Sequence, residues 1–596
     1  MNTRPSTDYA MQMQAQQSLI DTLRGFDRAI DAHWGRWYPK AREWYAVHAG
    51  DSWEPEAKME LEAKGKNPVE MNRVDAMVSA ISGAEITNRQ TVRYAPREIG
   101  DVKVNELFTG AVEWSRDTCD AADEESQAFR DTLICGLGPI ETRMDYLDDE
   151  EGMAKIERCD PLEFGIDPSA RKSNFVDADY FRRKRRFPKK IAYVLFPQLC
   201  QAAGLPSGMS GDHENVPGRP YGGGDNFEAD APLPPDVVEI IEYQFRDIEE
   251  VVLVMDPGTQ QRMTLGPAEL QRLATVGIDP VRLLNGVRSK RWVWKRAFRA
   301  GDMCFEEPLP DGEFTYKFVT GKIDRNTGLP YGVVRAMVDP QRWSNKFLSQ
   351  IDYIISSNAK GGIIYESDAF EDPRDAEERW AQSDSMIATK AGAVRGGMIM
   401  AKPQQPYPQG LDRLFQIASS ALPEVVGVNK EMLGMADQAQ AGVLEYQRKQ
   451  AAYGVLSIFF DSLKRYRKLQ GRLHLKLISK YMSDGRIVRI TNADSGKMQY
   501  VQLMHDPNTL KFDVIVDEAP QGPNQKERVW QMLLGLGGVM QSLNGLPPEM
   551  ILSIMEYSPL PSSLIDKLRN MLQQQQNDPQ MQQQQQLAQQ VQMGTA

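Results

Sequence analysis

The sequence predicts an α+β protein of several domains. Three observations carry this: a length of 596 residues, a central region whose apolar residues alternate, and flanking stretches with helical periodicity. A chain this long exceeds what one ordinary hydrophobic core accommodates.

The elements follow in order. Residues 8–33 predict an amphipathic helix, with Leu19, Leu23, Phe26 and Ile30 at helical spacing. A tryptophan-rich stretch follows, with Trp34, Trp37, Trp44 and Trp53. Val74, Met77, Val78 and Ile81 predict a second helix ending near Gly83, and a third runs over 102–135. Gly138-Pro139 reads as the breaker of that helix. Residues 140–146 then alternate as a strand does, and 154–158 return across a turn at 148–152. Residues 160–168 hold two Asp-Pro breaks. Residues 203–235, rich in Gly, Pro, Ser and Asp, predict a flexible loop. Strands are expected at 237–245, 250–255, 291–298 and 304–308.

Helical periodicity resumes at 333–358, where Pro340 invites a bend. Residues 361–408 are mixed, and 411–426 form a helix around Pro423. Residues 428–443 are small and polar. The strongest helix spans 444–482, with Ala452, Leu456, Phe459, Leu463, Tyr466, Leu469, Leu473, Leu477 and Tyr481 on one face. At 1.5 Å per residue it reaches about 55–60 Å, a beam in a larger assembly. Strands are expected at 486–491 and 511–516, and short helices over 524–572. Residues 573–592 are dominated by glutamine.

Composition narrows the function. No stretch approaches the roughly 20 apolar residues of a membrane span. The N-terminus lacks a secretory pattern, so a product used in the cytoplasm of its cell is expected. The cysteines, Cys119, Cys135, Cys159, Cys200 and Cys304, are widely spaced and read as reduced thiols. A net charge of −12 argues against tight nucleic-acid binding over the whole surface. The richest basic run, Phe181-Arg-Arg-Lys-Arg-Arg-Phe187, reads as a solvated face or a subunit contact, with DNA contact the less expected reading. No phosphate loop, HExxH or GxSxG occurs, and the five histidines lie far apart. The expectation is a protein that is not an enzyme, with no catalytic residues, no metal and no cofactor.

Four stretches, in this order and spacing, resemble the phage portal family, and in particular the portals of short-tailed phages. They are Asn72-Arg-Val-Asp with Gly83-Ala-Glu-Ile-Thr-Asn-Arg89 and Tyr94-Ala-Pro96; Asp160-Pro-Leu-Glu-Phe with Asp167-Pro-Ser-Ala-Arg171 and Asp177-Ala-Asp-Tyr180; Pro330-Tyr-Gly-Val-Val-Arg335 with Gln341-Arg-Trp-Ser-Asn345 and Ser356-Ser-Asn358; and Phe512-Asp-Val-Ile-Val-Asp-Glu-Ala-Pro520 with Asn524-Gln-Lys-Glu527.

The resemblance implies a ring of about twelve subunits around a DNA channel at one capsid vertex. Each subunit would have an α/β wing, a helical stem, a mixed α/β clip and a helical crown. The wing would comprise 1–332 and 483–525, the stem helices 333–360 and 409–427, and the clip 361–408. The tunnel loop would be 428–443, the long wing helix 444–482, the crown 526–572, and a glutamine-rich tail or short barrel stub 573–596. Implied partners are terminase during packaging, then tail or head-completion proteins, with major capsid protein and scaffold around the ring. The location implied is the virion. Duplex DNA would pass by weak, non-specific contact, and Asn429, Lys430, Gln438 and Gln440 are the channel candidates. In the clip, Asp372, Asp375 and Glu378 precede Lys390, Arg395 and Lys402. Acidic residues first and basic residues second suit head-to-tail contact between identical copies. The competing reading is another structural protein of the head–tail junction or tail. A nuclease or protease would need a carboxylate or nucleophile cluster that the sequence does not suggest.

Overall fold

The computed structural model describes residues 7–87, 89, 91–96, 102–147, 149–197, 199, 237–255, 262–275, 286–309, 312–359, 362–380, 386–401, 408, 410–428, 442–481, 487–491, 498–502 and 512–517. The helices are α1 (Thr7–Trp34), α2 (Trp37–Ala49), α3 (Pro55–Ala63), α4 (Val74–Thr87), α5 (Val102–Thr118), α6 (Ala121–Cys135), α7 (Lys189–Leu195), α8 (Pro267–Thr275), α9 (Val334–Ala359), α10 (Pro373–Trp380), α11 (Leu411–Val426) and α12 (Gly442–Tyr481). The strands are β1 (Thr91–Pro96), β2 (Leu137–Asp145), β3 (Met153–Arg158), β4 (Phe164–Ile166), β5 (Tyr180–Pro188), β6 (Val237–Met255), β7 (Arg262–Leu265), β8 (Val287–Ala300), β9 (Met303–Pro308), β10 (Tyr316–Thr320), β11 (Lys322–Ile323), β12 (Pro330–Tyr331), β13 (Ile363–Tyr365), β14 (Ile399–Ala401), β15 (Ile487–Thr491), β16 (Met498–Gln502) and β17 (Phe512–Asp517). The mixture is α+β. Among the described residues, no helix is long and apolar enough to cross a membrane.

The chain divides into two compact units. One comprises Met1–Pro39, Ile81–Gly332 and Ser457–Ala596; the other comprises Lys40–Ala80 and Val333–Leu456.

In the first unit, an antiparallel sheet runs β4-β5-β6-β8-β9, with β7 added to β6. α1 covers one face of it. Leu23 packs with Ile241, Tyr243, Phe245 and Ala297, flanked by Leu19 and Phe26. The tryptophans close the end of α1: Trp34 Nε1 donates to the Ile166 carbonyl at 2.8 Å, and Trp37 Nε1 to the Pro330 carbonyl at 2.8 Å. A second sheet, β10-β2-β3, confirms the hairpin read from alternation, with Met144 opposite Ala154. α6 lies on it.

Several expectations are corrected here. The helix read over 102–135 is two helices, broken where Asp120 adopts a left-handed φ of 49°. Its terminator is Gly136 (φ 88°), whose N–H closes on the Thr132 carbonyl; Gly138-Pro139 already lies in β2. α4 continues one turn past Gly83 to Thr87. The strands read at 237–245 and 250–255 are a single strand, β6, because β8 pairs with it without interruption from Ile241 to Leu253. The loop at 203–235, the helices at 524–572 and the glutamine tail lie outside the described residues.

In the second unit, α9 packs on α11. Its apolar interior includes Val334, Met337, Ile354, Ala418, Leu422, Val426, Ala452 and Leu456. α9 runs through Pro340, and α11 contains Pro423, as the sequence suggested. α11 stops at Gly427 (φ 77°), where the Gly427 and Val428 N–H groups both return to the Pro423 carbonyl.

Candidate functional site

Three of the four stretches singled out in the sequence hold structural clamps, and residues 518–527 of the fourth lie outside the described residues. In the second unit, the segment leading into α4 lies along α9 and is held by polar side chains of 341–349. Gln341 Nε2 donates to the Met71 carbonyl at 2.6 Å, and Asn345 Oδ1 accepts from Met71 N–H at 3.2 Å. Asn345 Nδ2 donates to Ser52 Oγ at 2.7 Å and Glu70 Oε1 at 2.9 Å, while Ser349 Oγ accepts from Val69 N–H at 2.8 Å. Asn72 caps α4, accepting from Val74 N–H at 3.0 Å, and donates through Nδ2 to the His48 carbonyl at 2.8 Å. An extended backbone without a sheet partner is thus satisfied by side chains.

In the first unit, the Asp-Pro segment folds back on itself. Asp167 accepts from Ser169 N–H, Ser169 Oγ and Asp179 N–H, and Asp177 from Arg171 and Lys172 N–H. Glu85, from the first stretch, enters a buried polar chain along α12. Arg467 donates to Glu85 Oε1 at 2.8 Å and to Glu125 Oε2 at 2.9 Å. Arg116 donates to Glu125 Oε1 at 2.8 Å and to Gln470 Oε1 at 3.0 Å. Gln470 therefore turns its Nε2 toward His474 Nδ1 at 3.3 Å, which places the ring proton on Nε2, facing Ser115 Oγ at 3.1 Å. Burial, reinforced by Arg116, pushes His474 down to about 3. Burial opposes ionisation of Glu125, yet Arg116 and Arg467 outweigh it and hold its carboxyl below the usual range. Sequence reasoning missed this chain because Arg467, Gln470 and His474 lie within the helix face read as apolar.

The basic run 181–187 is not a solvated face. It is strand β5, between β4 and β6, and carboxylates from distant segments meet its arginines. Arg182 binds Asp27 at 2.9 Å and Asp31 at 2.7 Å. Arg183 binds Glu141 at 2.9 Å and Glu163 at 2.8 Å. Arg185 reaches Glu242 at 3.3 Å and Arg186 reaches Glu239 at 3.7 Å. Burial followed by Arg182 lowers the Lys184 ammonium.

The segment 362–401 is a small lobe. β13 pairs with β14, Ile363 opposite Ala401, and Ala369, Phe370, Ala376 and Ala393 form a miniature core with Ile363, Ile387, Met398 and Ile399. Large apolar side chains remain exposed around it, including Ile364, Trp380, Met386 and Val394. Asp372 caps α10, accepting from Arg374 N–H at 3.0 Å. Asp375 pairs with Arg379 at 2.8 Å, and Lys390 pairs with Asp368. Glu378 and Arg395 are exposed. Lys402 lies outside the described residues, as do Asn429, Lys430, Gln438 and Gln440. Four described cysteines, Cys119, Cys135, Cys159 and Cys304, are free thiols.

α11 carries two apolar stripes one residue apart. Ala418, Leu422 and Val426 are buried, while Leu414 (45% exposed), Ile417 (55%) and Val425 (46%) face solvent. Trp343 on α9 is exposed as well.

A family profile described as Phage P22-like portal protein matches residues 23–596. A protein of Helicobacter pylori bacteriophage KHP30 named "Portal protein" is 20% identical over 529 residues, covering 86% of this chain and 76% of that protein. Among solved structures, a chain from the neck of a native GTA particle computed with C12 symmetry aligns at 12% identity with a TM-score of 0.33, covering 83% of this chain and 95% of that one.

Proposed function

The chain belongs to the phage P22-like portal protein family, and on that premise we propose that about twelve copies form the ring through which a genome enters and leaves the capsid of a short-tailed phage. The family match over residues 23–596 carries this reading and favours it over another head–tail or tail component. A portal is the head–tail connector of the virion; packaging brings terminase to it, and tail or head-completion proteins follow. Capsid protein and scaffold surround it during assembly.

The outer stripe of α11 supports the ring. A lone subunit gains nothing by leaving Leu414, Ile417 and Val425 in water, whereas a heterologous contact repeated around a closed ring buries the same stripe in every copy. The lobe 362–401 would be the clip. Its own core lets it project as a unit, and its exposed Trp380 and Met386 suit a docking surface, with Glu378 and Arg395 at its charged rim. In the tunnel loop, Asn429, Lys430, Gln438 and Gln440 would touch DNA weakly. A conduit that neutralised many phosphates would stall its cargo, and a chain of net charge −12 fits that requirement. The test is electron microscopy of the purified full-length protein with mass determination. Rings with a central hole wide enough for a duplex and about twelve-fold views are expected; fibres, or rings too narrow for duplex DNA, would reject the reading.

A further inference from the structure

α12 has a second surface that the portal reading does not use. Between Asp461 and Lys480, the exposed residues of this helix are Asp461, Arg465, Lys468, Arg472, Lys476 and Lys480, all of them charged and five of them cations. Their spacing of three or four residues puts the cations in one ladder about 22 Å long. One turn earlier the same helix exposes Ile458, so the ladder begins beyond Asp461. Lys476 also meets Glu313 at 2.6 Å, but remains 53% exposed.

The contrast with β5 is informative. There, the arginines of a basic run meet carboxylates from α1, β2, β6 and the turn before β4. Here, in a chain of net charge −12, Arg465, Lys468, Arg472, Lys476 and Lys480 all keep exposed positions along the longest described helix. Protein interfaces place apolar and aromatic side chains at their centre and deplete lysine. This face has no exposed apolar member over its length, and three of its five cations are lysine. A phosphate backbone makes the opposite demand: charge at regular intervals and nothing else. At about 3.4 Å per phosphate along a strand, one strand of a 22 Å length of duplex offers roughly six phosphates to these five side chains.

We infer that the α12 ladder is a second, sequence-independent contact for the phosphate backbone of duplex DNA, separate from the tunnel loop. The inference rests on the portal reading for why duplex DNA is at hand.

The test is fluorescence anisotropy of full-length protein with a mixed-sequence duplex, titrated with salt, alongside imaging of the same samples. The ladder predicts a log–log salt slope of about −4. In R465Q/K468Q/R472Q the slope should shrink by about 3, with at least a tenfold loss of affinity at low salt. Single variants R465Q and K468Q, each shrinking the slope by about 1, guard against a misfolded triple variant. Lys290→Gln, at an exposed position of β8, should leave binding unchanged. Equal slopes in wild type and variants, or no wild-type binding at low salt, overturn the inference. Competition by polyglutamate as effective as that by duplex at equal charge also overturns it, making the face a dock for an acidic protein. Rings without ladder-dependent binding sink this inference alone; ladder-dependent binding without rings sinks the portal reading alone.

Discussion

At the scale of single residues, the informative side chains are polar and buried. His474 is the clearest. Gln470 donates to its Nδ1, and its Nε2 proton faces Ser115, so the pocket suits the neutral ring and refuses a second proton. With a folded value of about 3 against the usual 6.5, the unfolded chain binds a proton in that interval and the folded chain does not. Stability from this site is complete above pH 6.5 and declines as pH falls toward 3, by at most about 1.4 kcal/mol per pH unit. His474→Gln offers one donor and one acceptor but cannot titrate. We expect H474Q to be less stable than wild type at pH 7, with the gap narrowing by pH 5 in urea unfolding. A gap independent of pH would contradict the assignment. The histidine itself was visible in the sequence, but its partners come from α5 and the preceding turn of α12, and no spacing rule links position 115 to 474.

Among elements, helix ends were set by details too local for periodicity to reveal. α11 ends at Gly427 because its φ of 77° suits glycine, and a Cβ there would lie 2.7 Å from Val455 Cγ1. Gly454, within α12, would meet nothing within 4 Å. The two glycines should therefore respond oppositely to alanine. Gly427→Ala is expected to lower the thermal midpoint, costing about 1–2 kcal/mol for the backbone alone, and Gly454→Ala to raise it by about 0.5–1 kcal/mol through helix propensity. Equal responses would remove the account of this terminus. The break at Asp120 escaped the sequence reading because Thr118-Cys-Asp-Ala-Ala122 contains neither glycine nor proline. The polar stretch Arg246-Asp-Ile-Glu-Glu250 imitated a turn for the converse reason: strand pairing with β8 overrides local composition there.

At the scale of the whole molecule, the subunit leaves an apolar stripe on α11 that a ring would cover. Leu414→Glu with Ile417→Glu is expected to leave helix content unchanged by circular dichroism, since both positions are exposed, and to abolish rings by microscopy and mass measurement. Rings that persist at wild-type stability would move the subunit contact elsewhere. The acidic-then-basic pattern of 361–408 reads differently at this scale. Asp372 serves its own helix as a cap, and Asp375 and Lys390 have partners within the lobe. The exposed Trp380, Met386 and Val394 are the stronger candidates for what the lobe offers a neighbour.

The sequence by itself determined the α+β class, the long helix, the β2–β3 hairpin, the helix around Pro423 and the family, because each rests on local periodicity or on motif order that survives without coordinates. Tertiary structure alone decided what the charged residues do. Arginines and lysines looked alike on paper in 181–190 and 464–480, yet Arg182, Arg183, Arg185 and Arg186 meet Asp27, Asp31, Glu141, Glu163, Glu239 and Glu242, Arg467 is buried against Glu85 and Glu125, and Arg465, Lys468, Arg472, Lys476 and Lys480 sit at the surface of α12. A charge has no period, and its role is fixed by whichever carboxylates the fold carries to within a few ångströms, from segments up to hundreds of residues away.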